Sequence, residues 1–190
     1  TKTKVSTKYD GAPSIVFGHN PKDGRFFVAT KSAFNKNPKL NYTAKDIEEN
    51  HGHAPGLVEK LKEALKHLPK IAPKKGVYQG DMMYTKNDLQ HKNGHIKFTP
   101  NTITYGAHED SSHGKLLKNS KMGIVVHTKY EGRGGLDTMS ATPNVDRENF
   151  KQHPDVHNID PSTKTDAALY TPKEQQKFHE AMNAAKDTYR

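Results

Sequence analysis

The first stretch with residues suited to covalent chemistry runs from Thr7 to Gly18. Lys8 stands two residues before Asp10-Gly11, and a run of β-branched and aromatic residues follows. Glycine permits a sharp turn and the apolar run favours a strand, so the pattern predicts an amine beside a carboxylate where a strand begins. A lysine attacks nothing unless nearby cations, a metal ion or desolvation lower its pKa. Lys8 is therefore a candidate nucleophile, and a surface lysine before a turn is the alternative.

A second lysine lies at the end of the next apolar run, in Thr30-Lys31-Ser32. Residues 14 to 18 and 26 to 31 are predicted to pair as a hairpin, because the residues between them, 20 to 24, hold Pro, Asp and Gly in turn-favouring order. Lys8 and Lys31 would then lie at the two ends of the hairpin. In that geometry both amines approach one phosphate site, and each lowers the pKa of the other.

These stretches, with a third around Asp81, resemble in order the motifs of the covalent nucleotidyltransferases, the superfamily of ATP-dependent DNA ligases, RNA ligases and capping enzymes. Lys8-Tyr9-Asp10-Gly11 resembles motif I, and Thr30-Lys31-Ser32 resembles the basic motif that follows it. Tyr78-Gln79-Gly80-Asp81-Met82-Met83 resembles motif III, with Asp where Glu is commoner. The amino-acid sequence most resembles a ligase-like family of tailed bacteriophages. The resemblance covers most of residues 1 to 150 and is clearest at 10–18, 31–39 and 98–103.

The resemblance implies a role for each candidate residue. Lys8 would attack the α-phosphorus of ATP, release pyrophosphate and retain AMP, while Lys31 would neutralise phosphate charge. Asp10-Gly11 would contact the nucleotide, and Asp10 and Asp81 would help to position Mg²⁺ or the ribose hydroxyls. An aromatic residue, Phe98 or Tyr105, would stack on the adenine ring.

Each of these residues also has a purely structural interpretation. Asp10 would only bond the backbone of its own turn, and Asp81 would pair with a lysine. Phe98 and Tyr105 would be core residues, the usual fate of aromatic side chains in strands.

Parts of the ligase pattern are missing. There is no Glu-Gly-x-Val-x-Lys and no terminal Lys-x-Lys, and residues 122–127 have the shape of the former without its glutamate. Pro13-Ser14 also follows Asp10-Gly11 where many ligases have arginine. The missing motifs are expected beyond Arg190 in a longer protein, or else the metal site is incomplete.

Composition favours an anionic partner. The 30 Lys and Arg residues exceed the 21 Asp and Glu residues, which gives a formal net charge of +9, and nucleic acid is the commonest partner of such a protein. The chain has no cysteine and no apolar run of the roughly 20 residues that cross a bilayer. We expect no membrane partner and a cytoplasmic location, the host cytoplasm if the protein is phage-encoded.

Two other functions compete with the ligase interpretation. The first is a catalytically inactive basic protein, nucleic-acid-binding or virion-associated, that keeps a ligase-like fold. The second is a metal-dependent hydrolase that uses His and Asp. The 12 histidines include the close pairs His51/His53 and His91/His95, but neither pair has a third ligand at a recognisable spacing.

The predicted fold class is α+β, with mostly antiparallel sheets and packed helices, as in a nucleotidyltransferase (ATP-grasp-like) adenylation domain. Residues 1–150 are the expected core, incomplete at both ends, followed by a polar linker at 151–170 and an amphipathic helix at 171–190. Beyond the hairpin, the patterns predict helices at 43–50 and 56–68, strands at 77–84, 96–98, 102–105 and 122–130, and polar loops at 34–42 and 86–94.

Overall fold

The computed structural model describes residues 12–161. Lys8, Asp10 and Gly11, and the helix expected at 171–190, lie outside this range. The described residues form a mixed α+β fold with two sheets and three α-helices, which confirms the fold class at this level. The helices are α1 (Ala44–His51), α2 (Pro55–His67) and α3 (Ser112–Asn119). The strands are β1 (Ser14–His19), β2 (Phe26–Ala29), β3 (Val77–Thr85), β4 (Gln90–Lys92), β5 (His95–Phe98), β6 (Tyr105–His108), β7 (Met122–Glu131), β8 (Ser140–Thr142) and β9 (Val156–Asn158).

The larger sheet has the strand order β9-β7-β3-β1-β2, and β8 also pairs with β7. Its pairs are antiparallel except β9 with β7. The predicted hairpin is confirmed as β1 and β2, with Val16 opposite Ala29. The predicted strand at 122–130 is the well-paired β7, as its continuous apolar run suggests. The result is a sheet whose central strand, β3, contains Asp81 and whose neighbouring strand, β1, follows the segment with Lys8 in the chain.

One face of this sheet is covered by α1 and α2. Thr43 caps α1 in a reciprocal capping box with Asp46, and α2 begins with Pro55 at a position where a missing N–H costs nothing. The apolar stripe predicted for α2 packs on the sheet, with Leu61 and Leu68 fully buried. Helices therefore occupy this face, and any ligand site of the larger sheet must lie at its edges or on its other face.

A smaller sheet, β4-β5-β6, packs beside the larger one. Its inward residues, Ile96, Phe98, Tyr105 and Ala107, form a core with Tyr84 and Leu117. The structure corrects two expectations here. The strand predicted at 102–105 begins at Tyr105, and β4 lies inside the polar loop predicted at 86–94. The helix α3 was not predicted.

The chain after residue 150 contributes to the larger sheet. Val156–Asn158 forms β9, which pairs in parallel with the first residues of β7, and Ile159 is fully buried. The described part of the predicted linker is thus built into the fold. None of the described helices is long and apolar enough to cross a bilayer.

Acid is expected to destabilise the protein through His157, which is 8% exposed and lies 3.3 Å from the Tyr84 hydroxyl. Burial, with a contribution from the charge of His113, lowers the pKa of His157 to about 3. The unfolded chain takes up this proton near pH 6.5, so stability is full above that pH and falls as pH drops toward 3. At pH 5 the loss from this residue is about 2 kcal/mol.

Urea unfolding at pH 7 and pH 5 measures this loss, and His157→Gln should reduce the pH dependence by that amount. His51, His67 and His113 also have pKa values lowered by burial, so part of the dependence persists in the variant. An unchanged dependence in His157→Gln would contradict the prediction.

Candidate functional site

A row of polar side chains crosses the face of the larger sheet opposite α1 and α2. Ser14 of β1 stands opposite Asp81 of β3, and Gln79 stands opposite Val16 on one side and Thr128 on the other. Opposite residues in an antiparallel pair point to the same face, so Ser14, Gln79, Asp81 and Thr128 share this face. Gln79 donates to the Ser14 hydroxyl at 2.5 Å and accepts from the Tyr130 hydroxyl. The row places fixed hydrogen-bonding groups in the middle of a sheet.

Asp81 lies in this row next to His127. Its Oδ1 atom is 3.4 Å from His127 Nε2, and the two side chains are 4% and 5% exposed, respectively. His127 interacts directly with this carboxyl group and favours its charged form. A buried carboxylate is costly unless it is paired, and this interaction offsets part of that cost.

Burial dominates the electrostatics of Asp81. Desolvation raises the pKa of its carboxyl group above the usual range, and the interaction with His127 and the positive charge of Lys31 offset part of this rise. A carboxyl group that is buried yet influenced by two basic side chains is typical of a functional site. Of the predicted residues, Lys31 thus acts on Asp81 through its charge, without an ion pair between them in residues 12–161.

Lys31 follows the end of β2, as the sequence predicts. The strand ends at Ala29, and Lys31 opens a 3₁₀ helix (Lys31–Phe34) capped by the side chain of Thr30. The Lys31 side chain is exposed, and it does not line the cavity at Asp81.

A cavity of about 320 Å³ opens over Asp81 and His127. Its outer wall consists of residues 143–148 with Asp160 and Pro161. Within this wall, Arg147 donates from Nη2 to the Val126 carbonyl at 2.7 Å and lies 3.7 Å from Asp160. The volume suits part of a small ligand, such as a sugar or phosphate group, rather than a whole nucleotide.

A second cavity, of about 950 Å³, lies between the start of α2 and the end of β3. Ala12 and Pro13, which directly follow Asp10-Gly11, contribute to its lining. Ala12 donates its backbone N–H to the Asn101 side chain at 3.2 Å. The described chain therefore begins at the lining of this second cavity.

Phe98 and Tyr105 are not brought to Asp81. They are 1% and 3% exposed, and their ring centroids are 5.3 Å apart in the core between the two sheets. Burial raises the pKa of Tyr105 to about 12. Their surroundings match the structural interpretation, and neither residue lines the cavity over Asp81.

Two residues of the site, His127 and Arg147, were not predicted from the sequence. His127 is the extra residue of a bulge in β7, because Gln79 pairs with Thr128 while Gly80 pairs with Val126. Bulges occur next to functional sites, where they redirect a side chain. The sequence did offer one signal for His127, which is its place inside the most apolar strand. A polar side chain in a buried strand needs a polar partner, so such a histidine indicates a nearby polar group. Arg147 had no such signal in its polar segment.

The histidine pairs considered as metal ligands have other surroundings. His51 is 5% exposed and its Nε2 lies 3.1 Å from the Asn41 amide, while the His95 ring lies 5.3 Å from that of His108. In residues 12–161, no group of three or more His, Cys, Asp or Glu side chains is arranged to hold a metal ion. Protein groups in this range therefore provide at most a partial metal site.

Comparison with known proteins gives one match. The model of a family described as a family of unknown function (DUF6267) matches residues 1–190. No curated protein and no solved structure matches the chain. The geometry of the site must therefore carry any functional interpretation.

Proposed function

The chain belongs to DUF6267, a family of unknown function, and we propose that it is the adenylation domain of an ATP-dependent polynucleotide ligase. It uses the nucleotidyltransferase fold, forms a lysyl-AMP intermediate at Lys8 and acts on the ends of DNA or RNA. A cytoplasmic location, in the host if the protein is phage-encoded, belongs to the same proposal.

The observation that carries the proposal is the convergence of the three motif-like segments on neighbouring strands. Asp10-Gly11 leads into β1, the segment with Lys31 follows β2, and Asp81 lies in β3, while β2, β1 and β3 are adjacent in the sheet. Ser14 is opposite Asp81, and the charge of Lys31 acts on the Asp81 carboxyl group. The charge of Lys31 therefore acts on a carboxyl group 50 residues further along the chain, which supports a shared phosphate site.

The proposed step is the transfer of AMP to an amine. A bond forms between Lys8 Nζ and the α-phosphorus of ATP, the bond from that phosphorus to the bridging oxygen of pyrophosphate breaks, and the amine proton passes to solvent. Lys31 neutralises charge on the phosphates as it builds up. Asp81 holds a divalent cation, Mg²⁺ in the simplest case, together with the nucleotide phosphates, and the cation supplies further charge neutralisation.

Nucleic acid is the proposed acceptor because of the charge of the protein. The net charge of +9 favours polyanions. The chemistry leaves the adenylated amine ready to pass AMP to a 5′-phosphate end.

The test is incubation with α-³²P-labelled ATP and Mg²⁺, followed by denaturing electrophoresis and mass spectrometry. The proposal predicts a covalent label that acid removes, with AMP located on Lys8. Labelled GTP serves as a comparison. Salt-sensitive binding to DNA or RNA without any label would identify the inactive binding protein instead, and chelator-sensitive hydrolysis without an adduct would identify the hydrolase.

Lys31→Ala is expected to slow the appearance of label about tenfold. The variant removes one exposed positive charge that acts on Asp81 and leaves the strand pairs of the sheet intact. Lys36→Ala, which removes an exposed lysine of the following loop, is the matched control and should label at the wild-type rate. Equal rates for the two variants would show that Lys31 does not act on the phosphates.

A further inference from the structure

The outer face of the smaller sheet carries basic and neutral polar side chains. Side chains alternate between the two faces of a sheet, and opposite residues share a face. One set of residues therefore points to the core around Phe98 and Tyr105, and the other set forms the outer face. The outer face consists of two rows of opposite residues: Gln90, Lys97 and Gly106 in one row, and Lys92, His95 and His108 in the other.

The chain that forms this face contains no acidic residue. Residues 89–108 hold two lysines and three histidines, and neither Asp nor Glu. Lys92 is exposed and Lys97 is half-buried. Asp110 lies at one end of the face, where its carboxylate is 4.0 Å from His108 Nδ1. The two lysines therefore present positive charge on a face whose own rows supply no negative charge.

Gly106 makes room for Lys97 at the centre of the outer face. A Cβ atom at position 106 would lie 3.0 Å from Lys97 Cγ and 2.9 Å from the carbonyl oxygen of Ile96. A larger residue would therefore displace the stem of the lysine. Glycine inside a strand weakens a sheet, and it is typical of places where a ligand or another segment comes close.

Two types of side chain on this face suit a single strand of nucleic acid. His95 and His108 are neighbours, with ring centroids 5.3 Å apart. Unpaired bases stack on aromatic side chains, histidine included, while basic side chains follow the phosphates. Lys92 lies opposite His95, and Lys97 lies in the adjacent row. The faces of bases are hidden in a duplex, so only a single strand can use both types of contact.

The outer face continues to the point where the described chain begins. Thr99 is exposed and follows Lys97 by two residues, so it extends the same face. In the loop after it, the Asn101 side chain accepts a hydrogen bond from the backbone N–H of Ala12 at 3.2 Å. Lys8 lies four residues before Ala12 in the chain. A strand bound along this face therefore leads to the residue that continues into the segment with Lys8.

We propose that the outer face of the smaller sheet binds single-stranded DNA or RNA, with Lys92 and Lys97 at phosphates and His95 and His108 stacked on bases. The inference goes beyond the proposed function, which takes nucleic acid as the acceptor and assigns no surface to it. It does not depend on adenylation, since a catalytically inactive binding protein would use the same face. Stacking tolerates every base, so binding has little sequence preference.

The lysines are tested by fluorescence anisotropy with a labelled oligo(dT) of about 15 nucleotides, at salt concentrations from about 50 to 200 mM. Lys92→Ala/Lys97→Ala should weaken binding about tenfold or more. The slope of log affinity against log salt should fall by about 1.4, because each phosphate contact with a single strand contributes about 0.7. Lys45→Ala/Lys66→Ala removes the same charge from exposed positions of α1 and α2, and this matched control should bind within about twofold of the wild type.

The histidines are tested by His95→Ala and His108→Ala, each of which should weaken binding about fivefold or more. His91→Ala is the matched control, because His91 is exposed in β4 but belongs to the row that points to the other face. It should bind as the wild type does. Duplex DNA of the same length should bind the wild type at least about fivefold more weakly than the single strand.

A measurement on the wild type complements the variants. Oligo(dT) should shift the imidazole NMR signals of His95 and His108 more than those of His91. Equal losses in the two double-lysine variants, equal effects of His95→Ala and His91→Ala, or tighter binding of duplex than of single strand would overturn the inference.

The results also separate this inference from the proposed function. If AMP is attached to Lys8 while oligonucleotide binding is unaffected by changes on the outer face, the function stands and the surface inference falls. If binding depends on the outer face and no lysyl adduct forms under any condition, the surface stands and the ligase proposal falls.

Discussion

Lys8→Ala is expected to abolish the acid-labile label, reducing adduct formation by at least about 10³-fold. The lysine nitrogen is both the nucleophile and the atom to which AMP stays bound, so no partial substitute exists. Lys8 is four residues from Ala12, which limits the distance between their Cα atoms to about 14 Å. Ala12 is itself two residues from Ser14, the partner of Asp81. The amine is therefore within reach of the site on chain length alone.

Two further variants sharpen this prediction. Lys8→Arg keeps the positive charge without a usable nucleophile and should be as inactive as Lys8→Ala. Lys22→Ala removes an exposed lysine from the turn of the hairpin and should label normally. Label of wild-type intensity in Lys8→Ala would refute the proposed chemistry, whatever the state of the metal site.

The elements that were predicted correctly depend on local signals. The hairpin has turn residues between two apolar runs, and α2 has a leucine at every fourth position and Pro69 just after its end. Pairing of β1 with both β2 and β3 places the segments before Lys31 and around Asp81 on strands of one sheet. The roles of Asp81 and Lys31 stay predictions.

The features that were missed depend on long-range packing. His127 belongs to the site only because a register shift in β7 turns it toward Asp81, and a register shift leaves no mark in the sequence. The strand β9 has three residues and exists because β7 offers a free edge to it. Residues 102–105 carry β-branched side chains, yet the strand starts at Tyr105, because pairing with Phe98 decides the register. Local propensity could not foresee these choices.

Asp81→Asn is expected to reduce the adduct yield at least about 100-fold, because the amide carries no charge to hold a cation at the phosphates. The change is nearly isosteric and preserves the β3 backbone and its pairing with Ser14. Asp137→Asn, at an exposed position of a 3₁₀ turn, is the matched control and should leave the yield unchanged. A label close to the wild-type level in Asp81→Asn would remove Asp81 from the site.

The same substitution should stabilise the protein at neutral pH, by about 1 kcal/mol. Burial raises the pKa of the Asp81 carboxyl group, so the folded state holds its proton more tightly than the unfolded state, where the pKa is near 3.8. Ionisation above the folded-state pKa therefore costs stability, and this cost disappears as pH falls toward 3.8. Chemical unfolding of both proteins at pH 7.5 and pH 4 measures the difference, in which the effects of histidines remote from Asp81 cancel. A variant that is less stable than the wild type at pH 7.5 would mean that groups in the protein already compensate the Asp81 charge, and a bound cation would then not be needed to explain its burial.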